Sequence, residues 1–285
     1  DGGSTEIRDI DYRSFLPAAI EDANRNIQEA RYSAFGEPLV TSFYGTEQGE
    51  PVGFHSLSAY LPPDDRNPAT AIADPKAAIG HFASASFWDT FCWMGRISQT
   101  SPPTQEWTTW ARREGFILPS GHLCARARQH ICDLENLGPN ERILKEHIDA
   151  SHREPVHAVT LLADRYPGDA EMQVRVSIAY LDGFGRVLQT KVEVEPGKAW
   201  RVDAKGYLIL NPDGTPQEDE VPRRWWVSEP VEHNNKGEKV RIYRPYFADG
   251  WGYINDQSMR KHACHDQQFY DAAGRPTETV LAKKM

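Results

Sequence analysis

The sequence predicts a mainly β fold, an antiparallel sheet of hairpins with an α-helical insertion around residues 75–150. Three observations predict it. A turn frame recurs along the chain, runs such as Val174-Arg175-Val176-Ser177-Ile178-Ala179-Tyr180 alternate as a half-buried strand does, and spacings of three and four between apolar residues are confined to one middle stretch.

The frame is clearest in Phe269-Tyr270-Asp271-Ala272-Ala273-Gly274-Arg275-Pro276. Tyr270 ends an extended run. Asp271 can bond backbone amides two residues on and nucleate a turn. Gly274 supplies the positive φ that closes it, and Arg275 opens a strand through Thr277, Thr279 and Val280. Leu181-Asp182-Gly183-Phe184-Gly185-Arg186 repeats the frame, as do Val202-Asp203-Ala204-Lys205-Gly206-Tyr207, His233-Asn234-Asn235-Lys236-Gly237 and Tyr32-Ser33-Ala34-Phe35-Gly36. A weaker copy, Ile20-Glu21-Asp22-Ala23-Asn24-Arg25, places Asn24 where the glycine belongs, since asparagine tolerates the left-handed conformation best after glycine. The expected structural turn residues are therefore Gly36, Asp182, Gly185, Arg186, Asp203, Gly206, Gly237, Tyr270, Asp271, Gly274 and Arg275.

Taken in order, residues 1–60 read as a β-hairpin segment, with Gly45, Gly49 and Gly53 punctuating a loop after Thr41-Ser42-Phe43-Tyr44. Residues 61–150 read as a proline-rich linker, around Pro62, Pro63, Asp64, Asp65, Arg66, Asn67 and Pro68, followed by the helical insertion. Asp74-Pro75 reads as an N-cap with proline at the first helical position. Phe87 to Met94 is the most aromatic run, either buried strand or an aromatic plate. Ser101, Thr104, Ser120 and Asn140 offer helix caps, and Gly115 a stop. Residues 151–285 return to a β-sheet segment, with a turn at Asn211-Pro212-Asp213-Gly214 and an exposed acidic loop at Gln217-Glu218-Asp219-Glu220.

A chain of 285 residues, 39% hydrophobic and 26% charged, can bury a core. Its net charge of −9, with both signs interspersed, argues against a nucleic-acid partner. No apolar run approaches the length of a membrane span, so no direct membrane span is expected, and no signal peptide is visible. The chain opens on Asp1 rather than Met, as an excised piece would. Four cysteines, Cys92, Cys124, Cys132 and Cys264, are too few and scattered for a disulfide framework.

No motif for catalysis, cofactor or metal stands out, and none is expected. His147, His152 and His157, five apart, suit neither face of one helix. His262, Cys264 and His265 sit together, but Cys264 and His265 as strand neighbours would point to opposite faces. Asp164 and Asp169 flank a turn that could hold a cation or simply be solvated.

A wider set of motifs carries a resemblance. It comprises the Leu/Tyr-Asp-x-x-Gly-Arg turns, Ala34-Phe35-Gly36, Thr41 to Gly49, Phe91-Cys92-Trp93-Met94-Gly95, Arg153 to Ala158, Ala163-Asp164-Arg165-Tyr166-Pro167-Gly168-Asp169, Asp182 to Gln189, Val231 to Gly237 and Arg244-Pro245-Tyr246-Phe247-Ala248-Asp249. The turns resemble the YD repeats of the Rhs superfamily, and the whole set resembles the carboxy-terminal part of the B component of insecticidal Tc toxin complexes. The resemblance implies a wall segment of a hollow β-shell in a secreted toxin. It also implies three partners: the C component, the pore-forming component and an encapsulated effector. The family's propeller and self-cleaving segment are not visible. The competing expectation is a carbohydrate- or cell-surface-binding module that uses Trp88, Trp93, Trp225, Trp226 and Trp251; a hydrolase whose acid pair is not legible is a third.

Overall fold

The computed structural model describes residues 4–62, 67–97, 102–203, 205–228, 230–254 and 256–282. Pro63, Asp64, Asp65 and Arg66 of the linker, the cap expected at Ser101, and Ala204 lie outside them.

The amino-terminal segment builds β1 (Glu6–Asp11), β2 (Leu16–Glu21), β3 (Ile27–Tyr32), β4 (Pro38–Glu47) and β5 (Glu50–Gly53) as successive antiparallel hairpins. The expected loop at Gly45–Gly53 is in fact the β4–β5 hairpin. Gln48 and Gly49, at φ 53° and 90°, form its two-residue turn, and positive φ at both matches the right-handed twist of paired strands.

Two short helices follow, α1 (Pro68–Ala73) and α2 (Pro75–Ile79). Asp74 caps α2 by accepting from the Ala77 amide at 3.1 Å, with Pro75 at the first position, as the sequence indicates. The middle segment is not purely helical. Its aromatic run begins with β6 (Ser84–Asp89), which pairs with β4 at Val40 and Thr41 and with β7 (Val156–Ala163) along its whole length. β6 thereby joins the two β segments into one sheet.

Beyond β6, α3 (Gln105–Arg113), α4 (Ala125–Asp133) and α5 (Pro139–Ala150) bury Trp107, Ala111, Leu123, Ala127 and Leu144 in a cluster of their own. Thr104 caps α3 through the Trp107 amide at 3.2 Å, and Gly115 at φ 72° stops it. Ser120 and Asn140 do not cap. α4 starts after Cys124 and α5 after Gly138. Ser120 instead faces His122 Nδ1 at 2.9 Å, and the Asn140 carbonyl accepts from the Trp107 indole at 3.1 Å.

The carboxy-terminal segment adds β8 (Val174–Leu181), β9 (Val187–Val194), β10 (Gly197–Trp200), β11 (Glu218–Val221), β12 (Arg224–Ser228) and β15 (Tyr246–Ala248). The expected acidic loop is the edge strand β11. Charge on an edge strand keeps its unpaired groups from templating another chain, so the residues that suggest a loop also suit an edge. The result is a 13-stranded sheet ordered β1-β2-β3-β4-β6-β7-β8-β9-β12-β15-β10-β11, with β5 on β4. β13 (Val231–His233), β14 (Lys239–Tyr243), β16 (His265–Tyr270) and β17 (Pro276–Val280) form a second sheet in that order. α6 (Asp256–His262), unanticipated from the sequence, buries Met259 beside Tyr243, Tyr246 and Ile254.

The two faces of the large sheet differ. Ala85, Phe87, Val159, Leu161, Val176, Ile178, Tyr180 and Trp225 point one way and pack on Ala71, Ile72 and Ile79 of α1 and α2. The opposite face presents Trp88, Leu162, Arg175, Val192 and Trp226 and, between them, the small residues Thr41, Ser84, Ser86, Ala158, Thr160, Ser177, Ala179, Thr190 and Ser228, none of them buried. Register aligns these small residues across strands: Thr41 opposes Ser84, Ser86 opposes Thr160, Thr160 opposes Ser177 and Thr190 opposes Ser228.

Candidate functional site

The recurrent turn is one hydrogen-bonded unit. At Asp182 the backbone N–H donates to Arg186 O at 2.9 Å, and the Gly185 N–H donates back to Asp182 O at 3.0 Å. Asp182 Oδ1 accepts from the amides of Phe184 and Arg186 at 2.8 and 3.0 Å, while Oδ2 takes Arg186 Nε at 2.6 Å. Asp271 repeats every bond, with Ala273, Gly274 and Arg275 as donors and Arg275 Nε at 2.7 Å. These bonds from the Arg275 amide and side chain hold the Asp271 carboxyl below the usual carboxylate range. Asp203 accepts from Lys205 and Tyr207, Asn234 from Lys236 and Glu238, and the Ser33 hydroxyl from Phe35 and Glu37. Gly36, Gly185, Gly206, Gly237 and Gly274 all have φ between 77° and 85°.

The weaker copy is set one residue later than its sequence suggests. Asp22 opens it, binding the Asn24 and Asn26 amides at 2.8 and 2.9 Å, and Arg25, not Asn24, takes the positive φ, 65°. The ring of bonds from Asp22 to Asn26 dictates which residue turns over, at a strain cost an arginine bears less easily than asparagine or glycine. Asn211–Thr215 is a further member: Gly214 N donates to Asn211 O at 2.9 Å with φ 84°.

Sequence alone does not show that these turns stack. In three of them the residue that closes the turn stays bonded to its own opening side chain and lies over a glycine of the next hairpin. Arg186, held by Asp182, covers Gly237; a Cβ there would stand 2.7 Å from Arg186 Nη1. Glu238, held by Asn234 Nδ2 at 2.6 Å, covers Gly274, and Asn26, held by Asp22 Oδ2 at 2.9 Å, covers Gly45. Leu16, which closes the Asp11 turn, lies 3.8 Å from where Gly36 would carry a Cβ. Tyrosines before the turns reach back the same way. Tyr32 donates to Pro17 O at 2.8 Å, and Tyr270 to Lys239 O at 2.9 Å. Lys236 Nζ adds a bond to Ala272 O at 2.7 Å. Asp182, Gly185, Arg186, Gly237, Tyr270, Asp271, Gly274 and Arg275 thus belong to one row of neighbouring turns. Asp203 and Gly206 lie elsewhere, on the rim of a cleft.

The row makes a testable distinction. Gly214→Val meets open space and costs only backbone strain, about 1–2 kcal/mol. Gly237→Val must also displace the Arg186–Asp182 pair, so its urea midpoint should fall clearly further. Equal losses for the two variants would mean that stacking contributes nothing.

The cleft, about 530 Å³, lies among the end of β6, the helical segment and the loop 250–253. Glu154 projects into it with His152 Nε2 at 3.4 Å and His157 Nδ1 at 4.0 Å. Burial pushes the Glu154 carboxyl up, but the His152 hydrogen bond and both histidines outweigh it, leaving it below its ordinary range; His152 is raised in turn by Glu154. His147 lies apart, against Trp107 at 5.2 Å. Asp89 accepts from His122 at 2.8 Å, tying the helical segment to β6.

Beneath the cleft, three polar side chains on the inward face strap the loop 250–254 to the sheet, and sequence reasoning missed them. Tyr180 donates to Trp251 O at 2.5 Å. Gln189 exchanges bonds with Ile254, and fully buried Lys191 donates to Gly250 O and Gly252 O at 2.9 and 2.5 Å.

His265 packs on Tyr243 with Nδ1 toward Ala263 O at 3.3 Å. Asp164 and Asp169 pair with Arg165. Among the described residues no group of three or more His, Cys, Asp or Glu side chains could hold a metal ion. The tryptophans do not form one plate. Trp225 is buried, and its strand neighbour Trp226 faces the other way. Trp88 and Trp226 share a face but stand four strands apart, about 19 Å at normal strand spacing.

Solved structures match this arrangement over nearly its whole length. The chain aligns over 97% of its residues with a chain of TcdB2-TccC3 lacking its hypervariable C-terminal region, at 29% identity and a TM-score of 0.80. The fold is Tc-toxin-related. The same share of the chain aligns with TcdB2-TccC3-Cdc42 at 29% identity and a TM-score of 0.78, and with the Tc holotoxin pore of Photorhabdus luminescens at 30% and 0.77. The matched chains are far longer: this chain spans 12–13% of their length. No protein-family model and no curated protein matches it.

Proposed function

We propose that this chain is a wall segment of a Tc toxin complex, drawn from the carboxy-terminal part of a B component and built of YD repeats. Its job is structural, to help enclose an effector and deliver it, and it carries no catalysis. Its partners are the C component, the pore-forming component and the enclosed effector, and the assembled toxin is secreted.

One observation carries this reading. The 13-stranded sheet stays open, with one face sealed by the core and the other carrying aligned serine, threonine and alanine between Trp88, Leu162, Arg175 and Trp226. A strongly twisted open sheet of this width is unusual in an isolated domain, whereas a curved wall needs one packed face and one smooth face. The small side chains that line up across this face suit a lumen that must let a polypeptide slide past without binding it tightly. The likeness to TcdB2-TccC3 structures supports the same reading.

The test places a single thiol on the smooth face, Ser177→Cys or Thr160→Cys, with Cys92, Cys124, Cys132 and Cys264 replaced. A maleimide carrying a 5-kDa polymer should label the isolated chain quickly and the assembled toxin at least tenfold more slowly. Equal labelling in both would place this face outside any enclosure and sink the proposal.

A further inference from the structure

The cleft of about 530 Å³ lies on the core side of the sheet, away from the smooth face, and has no part in forming a wall. Its volume is that of a small-ligand site, and its lining offers mostly acceptors. His157 lines it and is only 3% exposed. Its Nδ1 lies 3.1 Å from Pro155 O. A carbonyl can only accept, so Nδ1 carries the proton and Nε2 keeps a lone pair. Nε2 has no hydrogen-bond partner among the described residues. A buried acceptor without a donor is costly unless the cleft brings one to it.

Asp203, on the rim, is the second open acceptor. In the turns opened by Asp22, Asp182, Asn211, Asn234 and Asp271, the second polar atom of the opening side chain is bonded to the closing residue. Asp203 Oδ1 accepts from the Lys205 and Tyr207 amides, but the closing residue here is Tyr207, whose side chain gives Oδ2 nothing. Oδ2 has no partner among the described residues. The turn does not need this charge, since asparagine opens two of the others.

The remaining lining agrees with a cationic guest. Asp89, Glu154 and Asp203 face a single guanidinium, Arg96, whose Nε is turned onto Ser120 O at 2.9 Å. Asp89 is already met by His122, and Glu154 by His152 and the Tyr253 amide. Half-buried Trp251 and Tyr253 add aromatic walls.

We propose that this cleft binds an alkyl guanidinium group, the chemistry of an arginine side chain. A guanidinium carries a planar fork of N–H donors, enough for the open atoms of His157 and Asp203 together, and its face stacks on aromatic rings. An ammonium is a compact point charge with no such face. The site goes beyond the wall reading and does not depend on it.

Isothermal titration of the full chain at pH 8 and low salt is the test. The probe n-propylguanidinium should bind saturably at one site, with n-propylammonium and n-propylurea about tenfold weaker or more. Asp203→Asn should weaken guanidinium binding about fivefold or more with unchanged circular dichroism, because asparagine can open the same turn. Binding unchanged by Asp203→Asn overturns the proposal, as does equal binding of the ammonium or the urea, or no binding at millimolar probe. Tighter binding of acetyl-Gly-Arg-Gly-amide than of n-propylguanidinium would put the group on a polypeptide, and the reverse on a small molecule; both results uphold the site.

Discussion

Replacing Glu232 by alanine is expected to cost about 3 kcal/mol of folding stability, the largest single loss in the carboxy-terminal sheet. Glu232 is 7% exposed and receives five charge-assisted or hydroxyl bonds from three residues on two elements. Arg241 Nη1 in β14 reaches Oε2 at 2.8 Å, Arg260 in α6 spans both oxygens through Nε and Nη2 at 2.7–3.0 Å, and the Tyr243 hydroxyl donates to Oε1. Burial alone would raise the carboxyl's pKa, but the bonds from Arg260, Tyr243 and Arg241 outweigh it and hold it below its ordinary value. Alanine would leave two guanidinium groups and a buried hydroxyl without their shared acceptor. The low end of the range for a broken buried pair is appropriate, because Arg260 is half exposed and can turn to water. A folded-state pKa held down also means that this contribution is present at neutral pH and is lost as pH falls through that value. Urea unfolding at pH 7 is the measurement, with Glu232→Gln as the isosteric comparison. A loss below about 1 kcal/mol for the alanine variant would show that the cluster does not fasten α6 to the sheet.

Local chemistry was legible in the sequence, and register was not. The turns at Ser33, Asp182, Asp203, Asn234 and Asp271 could be read because a side-chain acceptor and a glycine three residues on are sufficient to build them. Asn24 is the residue best suited to positive φ, but the acceptor three residues before the turnover, Asp22 before Arg25, decides which residue adopts it. β11 was hidden by its acids. The middle segment looked like an insertion because its helices have clear periods, while six residues of β6 stitch the sheet together. The stacking of Arg186 on Gly237 joins residues 51 apart, and the Tyr270 bond to Lys239 crosses between strands. Neither leaves a local mark beyond a glycine and a tyrosine. A signal for the loop strap did exist: Gln189 and Lys191 sit two apart on a strand, so both face one side. Opposite Tyr180 and Ile178 of β8, that side is the core. A polar pair facing inward requires buried partners, and the carbonyls around Trp251 supply them.

Lys191 should make the chain more stable as pH rises from about 7 toward 10. Its ammonium is fully buried, and burial pushes its pKa from 10.5 down to about 7, against the opposing pull of Glu154 and Asp249. Below pH 7 the amine is charged in both folded and unfolded chains, so the folded state bears the whole desolvation cost. Between about 7 and 10.5 the unfolded chain holds a proton that the folded chain has given up, so stability rises with pH, by at most about 1.4 kcal/mol per unit. Above that window the neutral amine still donates to Gly250 O and Gly252 O. Lys191→Met removes the titration and leaves both carbonyls without that donor. The variant should therefore match or exceed the natural chain at pH 6, where it loses a buried charge, and fall below it by pH 9.5, where it loses two hydrogen bonds. Comparing urea midpoints of the two chains at pH 6, 7.5 and 9.5 cancels the titration of groups they share. Parallel curves would mean that Lys191 stays charged in the folded chain across this range, with water or a carboxylate reaching the strap. A difference of opposite sign would mean that the two carbonyls hold an ammonium rather than an amine, and that the loop 250–254 is fastened to the sheet by charge.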